Sequence, residues 1–171
     1  MKKIEDYIRS IPDFPKEGII FRDITSILQD AEGLRLAINS MQAYINSTKV
    51  DVIVGTESRG FIFGVPIAYN LHKPFVPIRK QGKLPGEVLA MEYSLEYGNA
   101  VVEVHKDAIK PGQRVVIVDD LIATGGTTKA CIKLVEELGG NVEKIVFLME
   151  LTDLDGREQL AGYDVESVIC Y

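Results

Sequence analysis

VVIVDDLIATGGTT, residues 115–128, runs from four consecutive apolar residues into two adjacent carboxylates and then into a turn of glycines and threonines. The apolar run Val115 to Val118 has no polar alternation, the mark of a strand buried on both faces in a parallel sheet covered by helices. Downstream the same order repeats: the segment TTKACIKLVEEL has helical spacing, GGN is a turn, and VEKIVFLME is another apolar strand. Strand, turn, helix, strand is an α/β layout with a mostly parallel central sheet flanked by helices. Upstream, DVIVG (51–55), residues 75–78 and RVVIV (114–118) read as strands, and residues 60–71 read as a helix. Asp30 is placed to cap a helix running to about Ser47, with Leu34, Ala37, Ile38, Met41 and Ile45 on one face. Ile4, Tyr7, Ile8 and Ile11 predict a short opening helix that Pro12 ends. Residues 80–105 break the rhythm: Gly82, Pro85, Gly86 and Gly98 lie among charges and alternating patches, which predicts a loop or antiparallel flap standing off the main sheet.

The chemistry is written where strand 115–118 ends. Parallel sheets bind ligands just outside the carboxyl ends of their strands, so Asp119 and Asp120 stand where a site belongs. Gly125 and Gly126 permit close backbone approach, and the free amides of a helix beginning near Gly126, with the hydroxyls of Thr124, Thr127 and Thr128, suit a phosphate. Neither a G-x-x-x-x-G-K-[ST] loop nor a G-x-G-x-x-G loop occurs in the chain. Two carboxylates repel phosphate, but they accept hydrogen bonds from sugar hydroxyls and stabilise a cationic sugar carbon. The expected ligand is a sugar phosphate; a lone Gly/Thr turn would equally be an ordinary helix cap. Adjacent strand residues face opposite ways, so both acids serve one ligand only if the strand is already ending at Asp119.

The rest of the chain bounds the answer. Its 171 residues allow one domain, and 46% apolar with 26% charged residues is globular composition. With 19 Lys+Arg against 25 Asp+Glu, the net charge of -6 argues against nonspecific attraction to nucleic acid or to an anionic membrane. Cys131 and Cys170 belong to no CxxC or Cys/His cluster, so a disulfide scaffold and structural zinc are not expected. MKKIEDYIRS has acids where a signal peptide needs an apolar run, and no stretch has the length of a membrane span, which predicts a cytoplasmic protein. His72 and His105 fall in no recognised motif.

VVIVDDLIATGGTT resembles the phosphoribosyl-diphosphate motif of the type I phosphoribosyltransferases. IPDFPKEGIIFRDIT (11–25), ESRGFIFG (57–64), IRKQGKLPG (78–86), YSLEYG (93–98) and the GRE tail (156–158) resemble the adenine branch of that family, in its order and across most of the chain. The resemblance implies the type I phosphoribosyltransferase fold with a small flap or hood, a single domain over 1–171 with a base-recognition segment at about 1–30, and a homodimer. It implies transfer of a phosphoribosyl group from phosphoribosyl diphosphate to adenine, giving AMP and pyrophosphate with Mg2+ held mainly through the substrate. Sibling enzymes that take other bases, and a nucleotide-sensing regulator without turnover, stay open as alternatives.

Carried over position by position, Asp119 and Asp120 hold the ribose hydroxyls, and Ala123, Thr124, Gly125, Gly126 and Thr127 bind the 5-phosphate. Arg59 corresponds to the pyrophosphate-loop arginine, beside a cis peptide between Glu57 and Ser58. Arg79, Lys80 and Lys83 form a second cationic group, for which a solvated loop is the plain alternative. Phe21 stacks on the purine, Leu121 closes its other face, and backbone groups around Ile20 and Arg22 read the base edge; an aromatic among apolar residues is also ordinary core. Glu96, under a flap shut by Tyr97 and hinged at Gly82, Gly86 and Gly98, is the candidate general acid or base, against the alternative of a solvated loop glutamate.

Overall fold

A computed structural model describes residues 2–94 and 98–171. After a 3-10 turn, Ile4–Tyr7, the chain forms a two-stranded antiparallel hairpin from β1 (Arg9–Pro12) and β2 (Ile20–Asp23). The short helix α1 (Thr25–Leu28) and the long helix α2 (Ala31–Ile45) follow. Then come β3 (Val52–Thr56), α3 (Arg59–Asn70), β4 (Phe75–Lys80), β5 (Val88–Ser94), β6 (Asn99–His105), β7 (Arg114–Ile122), α4 (Gly126–Glu137) and β8 (Asn141–Glu150). Two 3-10 turns, Thr152–Leu154 and Gly156–Leu160, precede β9 (Val165–Cys170). Seven strands form one sheet in the order β5-β6-β4-β3-β7-β8-β9, parallel from β4 to β9.

The unbroken apolar strands are buried on both faces, as their lack of alternation requires. Val115 and Ile117 pack toward Ala130, Leu134 and Val135 of α4, whereas Val116 and Val118 pack toward Met41 of α2 and Phe63 and Ile67 of α3. Asp30 caps α2 through Oδ1, which accepts from the amides of Glu32 at 2.9 Å and Gly33 at 3.0 Å. Ala37, Met41 and Ile45 sit fully inside on the expected face.

Three expectations change. The opening helix is only the turn Ile4–Tyr7: Ile4 and Ile8 are buried, but Arg9 to Pro12 pair with Ile20 to Asp23, so partners 8 to 14 residues away override a helical spacing. The described residues of 80–105 form an antiparallel hairpin attached to the sheet edge rather than standing wholly off it. Its strands β5 and β6 continue the sheet at one edge through Arg79↔Glu103 and Lys80↔Val102, and Val102 and Val104 lie in the core. Strand β7 does not stop at Val118 either. Its pairing with β3 ends at Gly55↔Val118, yet its pairing with β8 runs on to Ile122↔Glu150.

Candidate active site

The order β4-β3-β7 places the topological reversal between β3 and β7, where open α/β sheets take their ligands. Because β7 outruns β3, residues from Asp119 to Ile122 keep a neighbour on the β8 side while their other side opens into a cavity of about 660 Å3. Both aspartates therefore line one cavity although the strand continues past them.

The start of α3 presses on this strand end. A Cβ on Gly60 would fall 2.8 Å from Asp119 Oδ1 and 2.9 Å from the Val118 carbonyl oxygen, so this close approach requires glycine. Arg59, one residue earlier, sets Nε 2.9 Å from Asp120 Oδ2. That contact is an ion pair without hydrogen-bond alignment: among the described residues, Oδ2 is buried with no hydrogen-bond partner. Burial and the charge of Asp120 push Asp119 well above the ordinary aspartate range. Burial raises Asp120 too, against the pull of the Arg59 guanidinium. The Asp120 amide donates to Asp119 Oδ1 at 2.9 Å.

Beyond Ile122 the turn 123–125 leads into α4. Gly125, at the head of the helix, has φ +81° and supplies no side-chain cap, which leaves the first-turn amides available to a ligand. Ala123, Thr124, Gly125, Gly126, Thr127 and Thr128 all line the cavity, as do Leu121 on the strand and Arg59 and Lys80 across from it. The Glu57–Ser58 peptide is cis. Thr56, Gln81, Tyr93 and Asn99 line the cavity as well and escaped the sequence reading. Thr56 carried a signal in following DVIVG at a strand's carboxyl end, and Gln81 and Tyr93 lie within the quoted stretches 78–86 and 93–98 without a role assigned to them there.

Other candidates lie apart from this cavity. Arg79 is engaged by Glu57, with Nε 3.2 Å from Oε2 and one terminal nitrogen 3.4 Å from Oε1, and it also donates to the Lys83 carbonyl at 3.2 Å. Burial opposes it, but the Lys80 amide and the Arg79 guanidinium hold the Glu57 carboxyl below its ordinary value. Arg79 thus braces the turn after β3, and Lys83 is exposed outside the lining. Ile20, Phe21 and Arg22 sit on the β1-β2 hairpin, also outside the lining. Phe21 meets Phe14 edge to face at 5.2 Å, and the Arg22 guanidinium lies 3.9 Å from the centre of the Tyr171 ring. Glu96 and Tyr97 fall outside the described residues.

Residues 23–169 match the phosphoribosyl transferase domain. The chain belongs to that family. This phosphoribosyl transferase domain is 68% identical over 171 residues to the adenine phosphoribosyltransferase of Lachnoclostridium phytofermentans, covering 100% of this chain and 98% of the relative. Its fold superposes on the crystal structure of adenine phosphoribosyltransferase from Thermoanaerobacter pseudethanolicus with a TM-score of 0.94 at 56% identity, covering 98% of each chain. The Saccharomyces cerevisiae adenine phosphoribosyltransferase, solved with an imino-altritol bisphosphate and adenine, gives a TM-score of 0.90 at 40% identity over 96% of each chain. The seven-stranded α/β domain is therefore a type I phosphoribosyltransferase fold.

Proposed function

We propose that the protein transfers the 5-phosphoribosyl group of phosphoribosyl diphosphate to adenine, giving AMP and pyrophosphate, as a pentosyltransferase of purine salvage. The observation that carries this reading is one cavity holding the Asp119–Asp120 carboxylate pair and, six residues past Asp120, the uncapped start of α4 at Gly126. The amides from Ala123 to Thr127 take the 5-phosphate, and Asp119 and Asp120 accept the ribose hydroxyls. As the bond from the anomeric carbon to the diphosphate oxygen breaks, positive charge grows on the ribosyl carbon next to the acids. The adenine nitrogen bonds to that carbon and gives up its proton to the Glu96 carboxylate as general base, while Arg59 and Lys80 neutralise the departing pyrophosphate. Leu121 covers one face of the base and Phe21 approaches the other when the N-terminal hairpin closes on it. Ile20 and Arg22 offer backbone groups to its edge, and Glu96 with Tyr97 completes the lid.

Among the described residues no group of three His, Cys, Asp or Glu side chains could hold a metal, and Asp120 is already set against Arg59. A magnesium ion fits this site as the companion of the substrate's diphosphate, where it supplies charge neutralisation for the leaving group. Residues 1–171 act as one domain, with base recognition in about 1–30 and the flap in about 80–105. A homodimer belongs to the same reading: Ile62, Val65 and Tyr69 form an exposed apolar stripe along α3. So does a cytoplasmic setting; no helix among the described residues is long and apolar enough to cross a membrane.

Purified protein given adenine, phosphoribosyl diphosphate and Mg2+ is expected to release pyrophosphate and form AMP, with hypoxanthine, guanine, xanthine and orotate turned over far more slowly. Tight binding of both substrates without pyrophosphate release would overturn the reading.

A further inference from the structure

The turn proposed to bind phosphate is backed by a second layer of chain, none of whose residues lines the cavity. After β8 the polypeptide doubles back through Gly156–Leu160, and Gly156 meets the turn backbone to backbone. A Cβ on Gly156 would lie 2.1 Å from the Ala123 carbonyl oxygen, and one on Gly125 would lie 2.5 Å from the Gly156 carbonyl oxygen. With no flexible side chain between them, any shift of Gly156 passes directly to residues 123–125.

Arg157 holds this layer in place. Its Nε donates to Glu150 Oε1 at 3.1 Å and one terminal nitrogen donates to Glu150 Oε2 at 2.5 Å. The other terminal nitrogen donates to the Val165 carbonyl at 2.6 Å, and Ser167 Oγ donates to Glu150 Oε2 at 2.8 Å. Glu150 is buried at the end of β8, so one planar guanidinium ties the segment to both β8 and β9. Lys129 Nζ, reaching from α4 to Gln159 Oε1 at 3.2 Å, fastens the far side.

We propose that Arg157 is a positioning residue for sugar-phosphate binding: by clamping Gly156 to Glu150 and Val165, it fixes the seat on which the turn 123–126 rests. The proposal rests on that turn being the phosphate site. Arg157→Gln is expected to weaken ribose 5-phosphate binding about ten-fold and to raise the KM for phosphoribosyl diphosphate by a similar factor, while the KM for adenine stays within about two-fold. Arg157→Lys keeps the charge on Glu150 but cannot also span to Val165, so it should recover part of the loss. A merely structural role would lower the active fraction and leave both KM values unchanged. If Arg157→Gln does not fold, Gly156→Ala leaves the ion pair in place, pushes on Ala123 directly, and is expected to give the same split between the two KM values. Native affinity for ribose 5-phosphate in a folded variant overturns the positioning role. Failure of the native protein to bind ribose 5-phosphate at all overturns the phosphate site itself, and the positioning role with it.

Discussion

Asp119 and Asp120 hold a site that works against the stability of the chain. Both carboxyls titrate above their ordinary range, Asp119 because of burial and its charged neighbour, and Asp120 because burial outweighs Arg59. Between the unfolded value of about 3.9 and the raised folded value, the native state binds more protons than the unfolded state, so stability falls as pH rises through that window. Asp119→Asn is therefore expected to melt no lower than the native protein at neutral pH, the difference vanishing below about pH 4. Turnover should meanwhile fall about a hundred-fold or more. Melting curves across pH beside a pyrophosphate-release assay check both; a parallel loss of stability would make the acid structural. The acids, the Gly/Thr turn and the helix start were legible in the sequence because they are consecutive. The engagement of Arg79 by Glu57 was not, because the two lie 22 residues apart and only the fold brings them together.

At the scale of the element, local rules held where packing agreed with them. The Asp30 cap and the buried face of α2 follow from side-chain chemistry within one or two turns. Asp30→Ala should cost about 1 kcal/mol and lower the melting midpoint by about 2–4 °C without changing turnover, since the cap is remote from the cavity. Calorimetry and a rate measurement decide that together. The opening segment shows the opposite case: Ile4, Tyr7 and Ile8 satisfy a helical period, but the residues after them pair with β2, and such a register is not encoded in either strand alone. The alternation in β5 and β6 announced a hairpin, whereas its continuity with β4 depends on the short ladder at Arg79 and Lys80.

Across the whole molecule, the sheet separates two apolar layers, α4 on one side and α2 with α3 on the other. The class of fold was readable from strands without alternation, and the position of the cavity from the carboxyl-end rule. Which strands are neighbours was not readable, because order in the sheet is a long-range property. The exposed stripe of α3 leads to a prediction at this scale. Tyr69, 80% exposed, continues the line of Ile62 and Val65. The native chain should sediment at twice its own mass, and Tyr69→Glu should shift it toward the mass of one chain at micromolar concentration; a native monomer would refute the dimer.

The seam between β3 and β7 closes only as far as Gly55 and Val118, because β3 ends at Thr56 while β7 runs on to Ile122. The central zipper of the molecule is thus left undone at one end, held there by the Arg59–Asp120 ion pair and the close approach of Gly60, and a guest lodged in the gap adds a further bridge across it. Loading the cleft therefore adds stitches to a seam that the backbone ladder stops short of completing.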